Sequence, residues 1–152
     1  MEAGAMLEEH LDNVLSSTIA RIRRINYVEP AGHFNPTEGP VEFTFDGGFT
    51  IRLESGADGE SLRISVDEWV DPFAEPLSAE NRKFIEASGK RTAFDVSEFE
   101  GYKLLIGQRV ENFSLITRMS KIVGVRLAIG PATLAAEVGA DELLVQLRVG
   151  HG

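Results

Sequence analysis

Two acidic hexapeptides, ESGADG at residues 54 to 59 and EVGADE at 137 to 142, are the first places where this chain could do chemistry. Carboxylates held close together, with pKa values driven apart, can act as general acid and base. If the two segments meet, Glu54, Asp58, Glu137 and Asp141 would form such a set. The same residues also make a turn. Glycine supplies a positive φ at little steric cost, and aspartate bonds its neighbouring backbone in an Asx-turn. The turn accounts for every shared residue, so the expectation is one turn built twice, with Gly56 and Gly139 in the tight positions.

Other routes to catalysis fare worse. His10, His33 and His151 fall in a helical stretch, a loop and the tail, without the spacing that metal sites or triads use. Ser16, Ser17 and Ser120 have no visible base, and no G-x-S-x-G elbow is present. SGKRT at 88 to 92 has Phe84 and Arg91 where a phosphate-binding loop needs glycine and a hydroxyl residue. It reads instead as a helix C-terminus, with Lys90 and Arg91 at the negative end of the dipole. With no cysteine there is no thiolate nucleophile and no Cys-bound zinc. No catalytic residue, metal or cofactor is assigned, and the reading leans away from an enzyme.

Recognition is the stronger candidate. DEWVDPFAEP, residues 67 to 76, interleaves Asp67, Glu68, Asp71 and Glu75 with Trp69 and Phe73. Aromatic anchors inside an acidic rim are a common hot-spot composition, although the same rings can also fold back onto a core. EPAGHFNPTEGP, residues 29 to 40, carries His33 and Phe34 and lengthens one half of the chain relative to the other. Insertions of that kind often map to a binding face. Arg21, Arg23 and Arg24 form the main basic cluster. Strand alternation would split them between faces, and pairing with the chain's own carboxylates is the expected use.

The elements that position these residues follow from an internal repeat. Thr50, Ile51, Glu54, Gly56, Ala57 and Asp58 match Thr133, Leu134, Glu137, Gly139, Ala140 and Asp141 at a constant offset of 83. Flanking apolar residues match at offsets of 84 (Val41 with Val125), 81 (Leu62 with Leu143) and 91 (Ile19 with Val110). Leu7, Leu11, Val14 and Leu15 share one helical face, and so do Phe99, Tyr102, Leu105 and Ile106, with Ser97 as N-cap and Gly107 as stop. Period-2 alternation in Val41-Phe43-Phe45 and Leu62-Ile64-Val66 signals half-buried strands. DGG at 46 to 48 and GP at 130 to 131 provide short connections, which imply antiparallel neighbours.

The expected fold is therefore α+β: a duplicated unit of one helix plus a four-stranded antiparallel meander. Eight strands would form a barrel-like or sandwich-like arrangement with about three helices. The chain, 1 to 152, reads as a single domain of two pseudo-repeats, about 7 to 66 and 98 to 147. A helical connector, about 78 to 89, joins them, capped by Ser78 and stopped by Gly89.

Composition narrows the partners. A net charge of -9 and a pI near 4.8 argue against nucleic acid and anionic membranes and favour a basic protein. No basic-then-apolar leader is visible in MEAGAMLEEHLDNVL, so a cytoplasmic location is expected. The first functional expectation is a non-catalytic interaction module, inhibitor- or immunity-like towards a basic partner. The alternative is a small-molecule binding domain, or an unrecognised enzyme, with a pocket between the repeats. The apolar last strand, ELLVQLRV, suggests a homodimer through its edge.

Overall fold

The computed structural model describes residues 2–28, 39–71, 78–88, 90–140 and 142–149. Helix α1 (Glu2–Val14) comes first. Its Leu7, Leu11 and Val14 are buried, as their spacing requires for one face against a core. Ser16, at φ 68, takes the left-handed position that ends the helix and turns the chain into β1 (Ile19–Val28). The first meander continues through β2 (Val41–Phe45), β3 (Thr50–Ser55) and β4 (Leu62–Ser65). Helix α2 (Ala79–Ser88) follows, with the Asn81 N–H donating to Ser78 Oγ at 3.1 Å, the cap that the sequence implies. Next come β5 (Lys90–Asp95) and a single 3-10 turn (Tyr102–Leu104). The second meander is β6 (Val110–Arg118), β7 (Lys121–Ile129), β8 (Ala132–Gly139) and β9 (Glu142–Val149).

The strands make two antiparallel sheets, ordered β4-β3-β2-β1-β5 and β6-β7-β8-β9. One core runs between them, filled by Phe43, Phe45, Ile51 and Leu53 from the first sheet and by Leu127, Ile129, Leu134 and Ala136 from the second. α1 packs beside β4 and closes one side. Burial of these apolar side chains is the main term holding the layers together.

Three features depart from the sequence reading. The eight strands expected in a barrel-like or sandwich-like arrangement are nine among the described residues, in two sheets of five and four, and they do not close into a barrel. A further strand, β5, was expected as a helix end; Lys90 and Arg91 open it and pair with Val28 and Tyr27. Thr92 and Phe94 alternate with Arg91 and Ala93, and the strand covers the flank of β1 that the meander leaves open. The third helix shrinks to the 3-10 turn. Gly101 sits at φ 89 in the middle of the intended helix, and the stretch before Gly107 is too short to offset nucleation. The intended cap, Ser97, instead accepts the Ile22 N–H on its hydroxyl at 3.0 Å.

The register of the two meanders coincides pair by pair. Ile22 opposite Phe43 corresponds to Phe113 opposite Leu127, Phe43 opposite Ile51 to Leu127 opposite Leu134, and Leu53 opposite Ile64 to Ala136 opposite Val145. Even the irregularity between Ile19 and Arg21 has its counterpart between Val110 and Asn112. The first strands meet at an antiparallel bridge, Thr18 to Arg109. Around it, Ser16 N–H donates to Val110 O at 2.7 Å and Gly107 N–H to Ile19 O at 2.8 Å. Ile19 N–H donates to Gln108 O at 2.9 Å and Val110 N–H to Ser17 O at 3.0 Å. Each bond maps onto its mate by the same offset of 91 residues, the pattern of a local two-fold axis.

Candidate functional site

Asp58 spends its carboxylate on its own turn. Oδ1 accepts the N–H groups of Glu60 (2.9 Å) and Ser61 (2.8 Å), and Oδ2 accepts the Ser61 hydroxyl at 2.7 Å. The Glu60 amide, then the Ser61 amide and hydroxyl, and finally Lys121 hold its carboxyl well below the usual carboxylate range. Such a group stays ionised and does not cycle protons near neutrality. Glu54 binds Arg52 Nε at 3.2 Å and the Ser65 hydroxyl at 3.1 Å, while Glu137 pairs with Arg118. Glu54, Asp58 and Glu137 thus each pair with a cation; Asp141 lies outside the described residues. The left-handed positions are not the expected ones: Gly59 (φ 68) takes that role in the first turn, and Ala140 (φ 50) in the second. Two extra residues in the first loop move the tight position along.

The acidic aromatic segment has a more specific architecture. β1 presents Arg21 and Arg23 on the outer face of the first sheet and turns Arg24 inward, because alternation splits the run. Residues 66 to 71 cross that outer face without regular structure. Arg52 Nη1 donates to Asp67 O at 2.9 Å, Arg21 Nη2 to Glu68 Oε1 at 2.9 Å, and Arg23 Nη2 to Trp69 O at 2.9 Å. The Trp69 N–H donates to Glu42 Oε2 at 2.7 Å, and Lys90 pairs with Asp71. Glu42 is fully buried beneath the segment and also accepts Arg23 Nε at 2.6 Å. Three of these cross-links, at Asp67 O, Trp69 O and the Trp69 N–H, hold the backbone itself, so the segment is fixed in shape while its side chains differ in exposure. Trp69 is half-buried, Asp67 and Glu68 are exposed, and Val70 is 74 % exposed. Of the residues singled out in the sequence, Phe73, His33 and Phe34 lie outside the described residues. Val70 was missed, since a lone valine between charged residues carries no distinctive signal.

A third location joins the two halves. A cleft of about 400 Å³ opens between the β3–β4 loop and the tips of the β6–β7 and β8–β9 hairpins. Gly59 and Glu60 line it from the first half, and Arg118, Met119, Lys121, Val123, Val138 and Ala140 from the second. Lys121 reaches across to Glu60 and to Asp58 (3.3 Å), and these partners, Glu60 first, raise its pKa. Met119 is 92 % exposed at the rim, at φ 51.

The edge of β9 is less bare than its sequence implies. Arg24, with no exposed surface, donates from Nη2 to Leu143 O at 3.1 Å and to Gly39 O at 2.6 Å, and from Nη1 to Tyr102 Oη at 2.8 Å. A guanidinium from the other sheet therefore occupies one of the carbonyls that an incoming strand would use.

Among the described residues no group of three or more His, Asp and Glu could hold a metal ion, and no helix is long and apolar enough to cross a membrane. No family model, no curated protein and no solved structure matches this chain.

Proposed function

We propose that this protein is a non-catalytic binding module that engages a basic protein through the segment from Val66 to Asp71. The observation that carries this reading is the clamping of the segment by Arg21, Arg23, Arg52 and Glu42. A loop already ordered in the free protein forfeits little conformational entropy on binding. Val70 and the open part of Trp69 supply apolar contact, and Asp67 and Glu68 set the sign of the local field. An inhibitor- or immunity-like role towards a cationic partner accords with the net charge of -9. In the same reading the two meanders are copies of one unit, supported by their coincident register.

The test is affinity capture from the source cells with wild type, Trp69→Ala and Val70→Asp as baits. A basic protein retained by wild type and lost by both variants supports the proposal. Retention by the variants, or capture of an acidic protein alone, overturns it.

The cleft favours a second reading, a small-molecule site between the halves, because residues from both line it. Ala140→Trp, at an exposed position of the lining, would narrow that space. A ligand found by thermal-shift screening should lose binding in this variant; unchanged binding would remove the cleft from consideration.

A further inference from the structure

The two sheets carry matching rows of side chains on their outer faces, and among the described residues only the first row is covered. In the first sheet the row is Arg23, Glu42, Arg52 and Ser65, adjacent across four strands. In the second, the residues in the same register are Ser114, Arg126, Ala135 and Gln146. Residues 66 to 71 roof the first row and bury Glu42 completely. The second row lies open: Ser114, Arg126 and Gln146 are exposed and Ala135 is half-buried.

The chemistry at the centre is inverted. Glu42, which accepts an N–H from the roofing segment, is replaced by Arg126, which can only donate. Arg52, which fills the space beside Glu42, is replaced by Ala135, which leaves it empty. Shallow depressions of about 360 and about 200 Å³ flank the row, one on the Ala135 and Gln146 side and one at Ser114 and Arg126. Arg148 adds a second cation on the next row, and neither it nor Arg126 is ion-paired among the described residues.

Charge is distributed accordingly. Residues 1 to 89 contain 7 Lys and Arg against 17 Asp and Glu, whereas residues 90 to 152 contain 8 against 7. The acidity of the chain therefore belongs to its first half; the second half is near neutral, and on its outer face Glu137 is paired with Arg118 while Arg126 and Arg148 are left for a ligand.

We propose that the outer face of β6–β9 receives an extended acidic segment of a partner protein. It lies across the strands as residues 66 to 71 lie across the first sheet, with Arg126 and Arg148 taking its carboxylates. The chain's overall negative charge opposes a long polyanion and admits a short acidic peptide. This docking face is separate from the Trp69 segment and does not depend on the function proposed for that segment.

The test uses a blocked synthetic peptide, VDEWVD, which copies residues 66 to 71 and carries three carboxylates for Arg126 and Arg148. Titrated into isotope-labelled protein at low salt, it should shift the amide resonances of Ser114, Arg126, Ala135 and Gln146. Arg126→Glu, a surface change, should weaken binding by about tenfold or more. A peptide with its three acids replaced by lysine should leave these resonances unmoved. The proposal is overturned if the shifts fall elsewhere or are absent, or if Arg126→Glu binds equally well. It is also overturned if the lysine peptide binds as tightly, or if a single-stranded oligonucleotide occupies this face more tightly than the acidic peptide.

Discussion

The guanidinium of Arg24 lies between the sheets and bonds Tyr102, Gly39 and Leu143 from three separate segments. Its fork geometry matters, because an ammonium is a point charge and cannot span the same acceptors. Removing it strands buried acceptors, so Arg24→Met should lower stability by about 3 kcal/mol, and Arg24→Lys should recover little of it, both read by urea denaturation. Nothing in the run Arg21, Arg23, Arg24 announces which member goes inward; only the strand register decides it. Asp58 shows a subtler effect. Its pKa is depressed in the folded state, so its contribution is present above the ordinary value of 3.8 and fades as pH falls towards the depressed one. Asp58→Asn should therefore be less stable than wild type at neutral pH, with the gap closing below about pH 4 in thermal melts. A gap that widens on acidification would contradict the assignment. Because Asp58 is exposed, salt should shrink the Lys121 part of the effect.

At the level of elements, the crossing segment depends on Glu42, which joins Arg23 to the Trp69 amide while having no exposure itself. Glu42→Ala leaves a partly buried guanidinium and an amide without their acceptor and should cost about 3 kcal/mol. Release of the segment should also red-shift Trp69 emission and speed proteolysis near residues 66 to 71; an unchanged spectrum would mean that the arginines alone hold it. The sequence made the meander strands readable, because Phe43 and Phe45 or Leu134 and Ala136 point to one core and alternate with polar neighbours. The turn at Asp58 was equally readable from its own local chemistry. β5 was not, since KRTAFD pairs with β1 through a contact far away in sequence, and local charge suggested a helix end. The helix expected at Phe99 to Ile106 failed for a related reason. Tyr102 and Leu105 are buried as its apolar face required, but Gly101 and the tie from Ser97 to Ile22 impose a tighter path. The clamping of the Trp69 segment joins residues up to 47 positions apart, beyond the reach of any local pattern.

For the whole molecule, the question is whether the two meanders are separable units or one cooperative body. The core is shared: Leu53 and Phe43 belong to the same apolar cluster as Leu134 and Leu127. Backbone bonds around Thr18 and Arg109 and the buried Arg24 cross from one half to the other. Neither meander could bury its inner face alone, and a two-state transition is the rule for a single core of this size. The chain contains one tryptophan, Trp69, which reports on the first sheet, whereas far-UV circular dichroism reports on both sheets. Leu134 is fully buried in β8, in the other half, so Leu134→Ala opens a cavity distant in sequence from the reporter. Its cost should be about 3 kcal/mol, within the range for such truncations. The decisive feature is where that cost is seen. In one cooperative body, the Trp69-detected and dichroism-detected midpoints in urea fall together by the same amount. If the halves unfolded independently, the Trp69 midpoint would stay at its wild-type value while dichroism alone developed an earlier transition. The shared core and the cross-sheet bonds require the first outcome.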